Sequence, residues 1–210
     1  SMKNIETWKR SSSRLTTRTL AQIGILSAVA FLLMTIEFPL WFLPGFYKLD
    51  LSEIPVLIGA FAMGPLAGAG IELVKVLLYF FLHGSSTFGV GDFASFLIGC
   101  CLAVPAALIY ERKKTKKNAL LGMAAGTLLM TVAGALANAY VLLPLYSAAF
   151  HMPMAELVAM GTKINPSITD LSSFVFLAVV PFNLLKGAVV SAFTFLLYKR
   201  VSPILHGRFF

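Results

Sequence analysis

Residues 93–130 read FASFLIGCCLAVPAALIYERKKTKKNALLGMAAGTLLM, two long apolar runs separated by a short block of basic residues. A helix needs about 20 apolar residues to cross a bilayer, because the hydrocarbon core is about 30 Å thick and a helix rises about 1.5 Å per residue. The first run, 93–110, has 18 residues, and the second begins at 119 and continues beyond residue 130 to 150. The stretch therefore predicts two membrane-spanning helices joined by a basic loop.

The composition of the whole chain points the same way. Of its 210 residues, 58% are hydrophobic and only 12% are charged, whereas about a quarter of the residues of a soluble domain are charged. This composition excludes a disordered chain, a collagen-like fibre and a small disulfide-stabilised scaffold. The two cysteines, Cys100 and Cys101, are adjacent within an apolar run, and we expect them to be packing residues.

Further apolar runs fill most of the remaining chain, and the loops between them contain proline, glycine or charge. We therefore predict an all-α membrane protein, a bundle of six transmembrane helices that forms one integral-membrane domain over residues 1–210, with a basic tail at 1–14. The six predicted spans cover residues 20–36, 52–63, 66–82, 93–110, 119–150 and 171–198. The second is short for a full crossing, and Asp170 is predicted to cap the last.

The distribution of basic residues predicts the orientation. Thirteen of the 17 Lys and Arg lie in the N-terminal region, in the 111–117 loop or after residue 198, all on one side of a six-span bundle. In membrane proteins the cytoplasmic loops carry the excess of Lys and Arg. Both termini are therefore expected in the cytoplasm. The net charge of +8 indicates contact with the lipid bilayer rather than with nucleic acid.

A few polar side chains lie inside the predicted spans, where a charge costs about 3 kcal/mol. Glu72 and Lys75 are three residues apart on one helix face, which predicts an ion pair; a role in binding or partner docking is the alternative. Asn183 and Lys186 share a face of the last span, and Asn138 lies in the span before it. These three either converge on a ligand or form a polar clamp between helices, since buried amides require partners.

Two loops on the side opposite to the basic clusters have unusual sequences. FLPGFYKLDLSEIP at 42–55 is too apolar for a solvated loop and predicts a lid over a pocket. HGSSTFGVG at 83–91 is rich in glycine, which lets backbone amides approach a ligand closely. In the first span, Gly24 and Ala28 form a small-xxx-small pair, which suits close packing against another helix of this chain or of a partner.

Several common nucleotide-binding and catalytic motifs are absent from the sequence. Neither of the nucleotide-binding patterns GxxxxGKS/T and GxGxxG occurs, and neither HExxH nor GxSxG does. The chain therefore carries no ATP motor of its own. His83, His151 and His206 are far apart in the sequence, so no metal site is expected.

Over nearly its whole length, the chain resembles the substrate-binding S components of energy-coupling-factor vitamin transporters, in particular the riboflavin-specific members. The stretches that carry the resemblance are GILSAVAFLLM (24–34), KLDLSEIPVLIGAFAMGPLAG (48–68), FGVGDFASFLIG (88–99), ALANAYVLLPLY (135–146) and VPFNLLKG (180–187). The resemblance implies six helices in the cytoplasmic membrane of a prokaryote and uptake of riboflavin or another flavin. It implies no enzymatic activity and no cofactor, since a transmembrane coupling protein and two cytoplasmic ATPases would drive transport and the flavin would be cargo.

The resemblance also implies roles for individual residues. It assigns Asn138, Asn183 and Lys186 to polar contacts with the flavin, Tyr47, Leu49 and Asp50 to the lid, and Gly84 and Gly89 to the third loop. Gly24 and Ala28 occupy the family's AxxxA docking motif, with glycine in place of the first alanine. Asp92 and Ser95 stand where the family often has GEFAN, so Ser95 is not expected to be a polar contact.

Three other functions stay open at the level of the sequence. The first is an S component for another vitamin, the second is an intramembrane enzyme that uses Glu72, Lys75 and His83, and the third is a structural membrane partner without a ligand. The form of the flavin is open too, because Lys186 can donate a hydrogen bond to a ring carbonyl or to the phosphate of FMN or FAD.

Overall fold

The structure is a computed structural model that describes residues 15–45 and 47–205, with side chains up to Pro203. The predicted basic tail at 1–14 and His206 lie outside the described residues. Within the described part, the chain is mainly helical. Its helices are α1 Thr17–Met34, α2 Glu53–Met63, α3 Pro65–His83, α4 Val90–Arg112, α5 Lys116–Ala137, α6 Leu143–Ala149, α7 Met154–Thr162, α8 Leu171–Phe174 and α9 Val180–Leu205.

Five helical stretches in the described part are long and apolar enough to cross a membrane. Three of them are α1, α3 and α4. The fourth runs from α5 through the π-helical segment Asn138–Leu142 into α6, and the fifth runs from α8 through the π-helical segment Val175–Val179 into α9. These stretches confirm the all-α membrane class. They match five of the predicted spans within a few residues, except that the fifth stretch extends beyond the end predicted at residue 198.

The second predicted span is the short helix α2, with 11 residues and a length of about 16 Å. Nine of its residues are buried, because α2 packs against α1, α3, α4 and α9. Gly64 ends the helix with a φ of 101°, a conformation that favours glycine, and Pro65 begins α3 directly. The helix therefore lies inside the bundle as the partner of α3.

The connections between the spans also contain regular structure. Strand β1 Phe38–Pro39, just before the predicted lid, pairs antiparallel with strand β2 Lys48–Leu49 inside it. The Lys48 ammonium lies 2.9 Å from the Glu37 carboxylate across this hairpin. The region after α6, predicted as a polar loop, instead contains the helix α7, in which Leu157 is a buried apolar side chain.

Two apolar clusters hold the bundle together. The first includes Leu57, Leu102 and Met130, and the second includes Leu43, Leu143 and Phe174. Between α4 and α5 the approach is close at Gly122, where an added Cβ would lie 2.6 Å from the carbonyl oxygen of Ala106. A polar cavity has walls from both clusters, since Ile98 packs against the first and Phe182 belongs to the second.

Candidate ligand-binding site

A cavity of about 200 Å³ lies among α4, the α5–α6 stretch, α9 and the lid; we call it the loop-side cavity. It is lined by Tyr47, Lys48, Gly91, Ser95, Ile98, Gly99, Asn138, Leu142, Tyr146, Phe182, Asn183 and Lys186. The lining combines aromatic rings and aliphatic side chains with a few amide, hydroxyl and amino groups. That mixture is typical of sites for small, partly apolar molecules.

Each wall helix supplies residues at helical spacing. In α4, Gly91, Ser95 and Gly99 are four residues apart and therefore face the cavity from one side of the helix. Their small side chains leave space between α4 and the opposite wall. From the α5–α6 stretch, Asn138, Leu142 and Tyr146 follow the same spacing.

Asn138 connects the lid to this wall. Its amide nitrogen donates a hydrogen bond to the Gly134 carbonyl oxygen at 2.8 Å, and its amide oxygen accepts one from the Tyr47 hydroxyl. Burial raises the pKa of Tyr47 well above its ordinary value, and Tyr146 adds to the increase, so the hydroxyl remains a donor at neutral pH. Asn138 also begins a π-helical segment, a rare feature that is frequent at functional sites.

Asn183 and Lys186 form the polar part of the α9 wall. The Asn183 amide nitrogen donates to the Val179 carbonyl oxygen at 3.1 Å, and the amide packs closely against Gly134 of α5. Lys186 lies three residues later and is half-buried. Within the part of the chain that the structure describes, its ammonium forms no ion pair. It is therefore a charged donor, inside the bundle, whose hydrogen bonds remain available to a bound molecule.

A buried charge cluster supports the cavity from behind. Lys75 Nζ lies 2.7 Å from Glu72 Oε1 and 2.8 Å from Glu53 Oε1, and it donates to Ser52 Oγ at 3.2 Å. The side chains of Lys75, Glu72 and Glu53 are at most 3% exposed. The predicted Glu72–Lys75 ion pair is confirmed, and Glu53 is a third member that the sequence analysis missed.

This charge cluster does not line the cavity. The Glu72 carboxylate lies directly against Gly99, so closely that an added Cβ there would overlap it, and Gly99 forms the wall in front. His83 stacks on Tyr79 two turns further along α3. The constellation of Glu72, Lys75 and His83 expected for an intramembrane enzyme is therefore not assembled around one space.

A second cavity of about 480 Å³ adjoins the first, and the two share Gly91, Ser95 and Tyr146 as lining residues. The other residues that line it are Met34, Tyr79, His83, Gly84, Ser85, Ser86, Thr87 and Asp92. Its walls come largely from the glycine-rich loop between α3 and α4. Together, the two cavities offer a volume in the range of about 300–1,000 Å³ that is usual for small-molecule sites.

The structure brings half of the predicted site residues to the loop-side cavity. Tyr47, Asn138, Asn183 and Lys186 line it, and Gly84 lines the adjoining cavity. These positions agree with the expected convergence of the lid, α5 and α9 on one space.

The other three predicted residues lie nearby without lining either cavity. Leu49 packs in the second apolar cluster, and Asp50 accepts a hydrogen bond from the Ser52 backbone N–H at 2.9 Å. Gly89 precedes α4 with a φ of 86° and lies against Phe80. These residues shape the loops and are not wall residues.

Several wall residues escaped the sequence analysis. They are Lys48, Gly91, Ile98, Gly99, Leu142, Tyr146 and Phe182. The four-residue spacing of Gly91, Ser95 and Gly99 is the signal that predicts a common face. Ser95 was not expected to be a polar contact, yet its side chain borders both cavities.

Gly24 and Ala28 lie on the outside of the bundle. Both are exposed, and an added Cβ at Gly24 would meet no atom within 4 Å. Among the described residues, no helix of the same chain packs closely against this pair. As for metals, no group of three or more His, Cys, Asp or Glu side chains among the described residues is placed to hold an ion.

Comparison with known proteins identifies similar chains. The sequence model of the family described as "ECF transporter, substrate-specific component" matches residues 18–198. The riboflavin transporter RibU of Staphylococcus aureus is 36% identical over 187 residues, covering 89% of this chain and 91% of the relative. The riboflavin transporter FmnP of Bacillus subtilis is 30% identical over 185 residues, covering 88% and 92%.

A solved structure is similar as well. The S component of a bacterial ECF transporter superposes on this chain with a TM-score of 0.68 and 36% sequence identity. The superposition covers 89% of this chain and 96% of that one. The likeness therefore extends over nearly the whole of both molecules.

Proposed function

Because the chain belongs to the family of ECF transporter substrate-specific components, we propose that it captures riboflavin at the bacterial cell membrane and delivers it as the S component of an ATP-driven transporter. The observation that carries this proposal is the convergence of Tyr47, Asn138, Asn183 and Lys186 on one cavity. Riboflavin transporters at 30–36% identity support the choice of cargo.

The chemistry of the cavity suits a flavin. An isoalloxazine ring is flat and largely apolar, with an edge of alternating carbonyl and N–H groups and a polyol tail. Aromatic side chains such as Tyr146 and Phe182 offer surfaces for the ring, and each good aromatic pair contributes about 1 kcal/mol. The Asn183 amide both donates and accepts, which matches the polar edge, and Lys186 donates to a carbonyl oxygen.

The lid closes over the ligand in this proposal. Tyr47 belongs to the lid and bonds to Asn138 of the opposite wall, so opening of the cavity requires this hydrogen bond to break. The β1–β2 hairpin and the Glu37–Lys48 ion pair keep the lid folded as one unit while it moves.

We infer six membrane helices with both termini in the cytoplasm. The five long spans together with α2 give this number, and the basic residues of the 111–117 loop support the orientation. In this arrangement the loop-side cavity opens toward the outside, where a vitamin is captured. Residues 1–210 then form a single substrate-binding domain.

The chain performs no covalent chemistry and needs no cofactor in this proposal. A transmembrane coupling protein and two cytoplasmic ATPases hydrolyse ATP and move the loaded subunit. The exposed pair of Gly24 and Ala28 on α1, the least buried of the five spans, supports a docking surface for the coupling protein. Small residues there let a partner helix approach closely.

A titration of the full chain in detergent tests the proposal. Riboflavin fluorescence should be quenched saturably, and Asn183→Ala or Lys186→Ala should weaken binding by about tenfold to a hundredfold, because each leaves a polar group of the ligand unpaired. Lys163→Ala is the matched control, since Lys163 is exposed in the loop after α7; it should leave affinity unchanged.

Competition separates the alternatives. FMN and FAD are added to the riboflavin-loaded chain, and other vitamins are added in parallel. Displacement by another vitamin at lower concentration than riboflavin would assign a different cargo. Absence of any saturable flavin quenching would contradict the proposal and favour a structural role.

A further inference from the structure

A third cavity, of about 190 Å³, lies at the opposite end of α5 and α9; we call it the basic-end cavity. It is lined by Phe61, Tyr110, Lys114, Thr115, Lys116, Ala119, Met123, Thr194, Phe195, Tyr198 and Lys199. The two cavities share no lining residue, and on α9 their nearest lining residues, Lys186 and Thr194, are eight residues apart, about 12 Å along the helix. The basic-end cavity is therefore no part of the flavin site.

Positive charge is concentrated at the rim of this cavity. Lys114, Lys116 and Lys199 all line it, and none of the described residues that line it is acidic. The side chains of Lys116 and Lys199 are close enough to interact with each other. The first turn of α5 begins here too, so the positive end of its helix dipole adds to the field of the lysines. Such an arrangement attracts an anion.

The floor of the cavity holds an unused polar group. Thr194 is 0% exposed, and its hydroxyl has no hydrogen-bond partner among the described residues. A buried hydroxyl without a partner is costly, because it loses its hydrogen bonds to water. A ligand with a hydrogen-bonding group at the floor of the cavity would remove this cost.

Below the lysines, the lining is apolar and aromatic. Phe61, Tyr110 and Tyr198 pack on one another with ring centroids 4.9–6.1 Å apart. Tyrosines are enriched where membrane proteins meet the lipid headgroups. Met123 and Phe195 continue the apolar lining. A molecule with an anionic head and a hydrocarbon tail matches both parts of the cavity.

From these contacts we propose that the basic-end cavity binds the phosphate headgroup of one anionic phospholipid of the inner leaflet. The phosphate oxygens accept hydrogen bonds from the lysines and from Thr194, and the first methylenes of an acyl chain lie against Phe195. The choice of leaflet rests on the orientation given under the proposed function. The inner leaflet is the one whose anionic lipids attract basic segments next to the membrane.

Native mass spectrometry of the full chain in detergent tests this proposal. Phosphatidylglycerol should be retained, and phosphatidylcholine with the same acyl chains should not. Lys114→Gln, Lys116→Gln and Lys199→Gln combined should reduce retention by about tenfold or more, because each removes a charge-assisted hydrogen bond to the phosphate.

A matched control removes the same charge elsewhere. Lys113→Gln, Lys117→Gln and Arg200→Gln combined remove three exposed cations of the same two regions that do not line the cavity. This variant should change retention by less than about twofold. Equal losses in the two triple variants would overturn the proposal, because they would reflect net charge alone.

Thr194→Val keeps the volume of the side chain and removes only its hydroxyl. It should weaken phosphatidylglycerol retention by about threefold to tenfold. If the triple variant fails to fold, Thr194→Val alone tests the lipid-binding proposal. Unchanged retention in Thr194→Val would overturn the assigned contact. Displacement of the lipid by glycerol 3-phosphate at equal concentration would also overturn the proposal and assign a soluble phosphate instead.

The test distinguishes failure of this proposal from failure of the proposed function. Riboflavin quenching is measured on the same samples, and the basic-end variants should bind riboflavin as the native chain does. Lipid retention without flavin binding would leave the lipid site standing alone. Flavin binding without selective lipid retention would overturn only the lipid site.

Discussion

The loop-side cavity and the basic-end cavity lie at the two ends of the same pair of helices, α5 and α9, and differ in how their polar groups are held. In the loop-side cavity, Asn138 and Asn183 already bond to backbone carbonyls of their own helices, and Tyr47 bonds to Asn138. In the basic-end cavity, the Thr194 hydroxyl has no partner among the described residues. The first cavity is preorganised by the protein itself, whereas the second is completed only by what binds there.

The two cavities also differ in how much unpaired positive charge lines them. The loop-side cavity has amides, aromatic rings and two lysines, of which Lys48 is paired with Glu37, so its lining carries little net charge and suits a planar, nearly neutral molecule. The basic-end cavity gathers three lysines without an acid among its described lining, which suits an anion. The two cavities therefore offer different chemistry, because the polar residues along each helix change between its ends.

The largest effect is expected at the charge cluster behind the loop-side cavity. Lys75→Met leaves the carboxylates of Glu53 and Glu72 buried without a cation, which should destabilise the fold by about 3–5 kcal/mol. Thermal unfolding of the detergent-purified chain measures this loss. Adding Glu53→Gln and Glu72→Gln to Lys75→Met should restore much of the stability, since the unpaired charges are then gone.

The exposed lid pair provides the control for this experiment. Lys48→Met breaks the ion pair with Glu37, whose two side chains are 45% and 37% exposed. Such an exposed pair contributes at most about 1 kcal/mol. If Lys75→Met and Lys48→Met lowered the melting temperature equally, the buried cluster would not stabilise the fold behind the cavity wall.

A smaller effect is expected at the hydrogen bond that fastens the lid. Tyr47→Phe removes the hydroxyl that donates to Asn138 and keeps the ring. The dissociation rate of riboflavin should rise by about fivefold, because a neutral hydrogen bond contributes about 1 kcal/mol. Stopped-flow fluorescence measures this rate, and the association rate should change little.

Tyr140→Phe is the matched control for the lid. Tyr140 follows Asn138 by two residues but is 78% exposed on the outside of the bundle. Its hydroxyl should not affect flavin kinetics. A faster dissociation in both variants would show that the effect does not come from the lid contact.

The smallest effect is expected at Asp170, which caps the last span. Hydrogen bonds from the Ser173 backbone N–H and hydroxyl lower the pKa of Asp170 below its ordinary value. A lowered folded-state pKa stabilises the fold above the unfolded pKa of about 3.9, and this contribution is lost as the pH falls through the lower, folded pKa. Asp170→Ala should therefore lower the melting temperature slightly at pH 7 and not below the folded pKa.

Thermal unfolding at a series of pH values tests the cap. Glu156→Ala is the control, because Glu156 is exposed in the first turn of α7. For Asp170→Ala, the difference in melting temperature from the native chain should disappear as the pH falls through the acid range. For Glu156→Ala, no such disappearance is expected. A pH-independent effect of Asp170→Ala would contradict the assigned role of the carboxylate.

Part of the candidate site could be predicted from the sequence. Asn183 and Lys186 lie three residues apart in an apolar run, where a polar side chain is energetically costly and is usually functional. Both line the cavity. The common face of Gly91, Ser95 and Gly99 was missed, because the same spacing also occurs where two helices simply pack closely. The sequence does not say whether such a face meets a helix or an open space.

The lid and the charge cluster show the same limit. Tyr47 was expected in the lid from the resemblance, and its bond to Asn138 joins residues 91 positions apart in the chain. Glu53 was not expected to join the Glu72–Lys75 pair, because it belongs to a different helix. Contacts between distant segments depend on how the helices turn about their axes, and hydropathy does not specify that angle.

The sequence by itself determined that this protein is a bundle of apolar helices, because the length of each apolar run and the thickness of a bilayer fix that outcome. It also determined which polar residues lie inside the spans. Only the tertiary structure decided that Tyr47, Asn138, Asn183 and Lys186 share one cavity and that Lys114, Lys116, Lys199 and Thr194 share another. The physical reason is that hydrophobic burial has no direction, whereas a binding site requires particular faces of separate helices to meet.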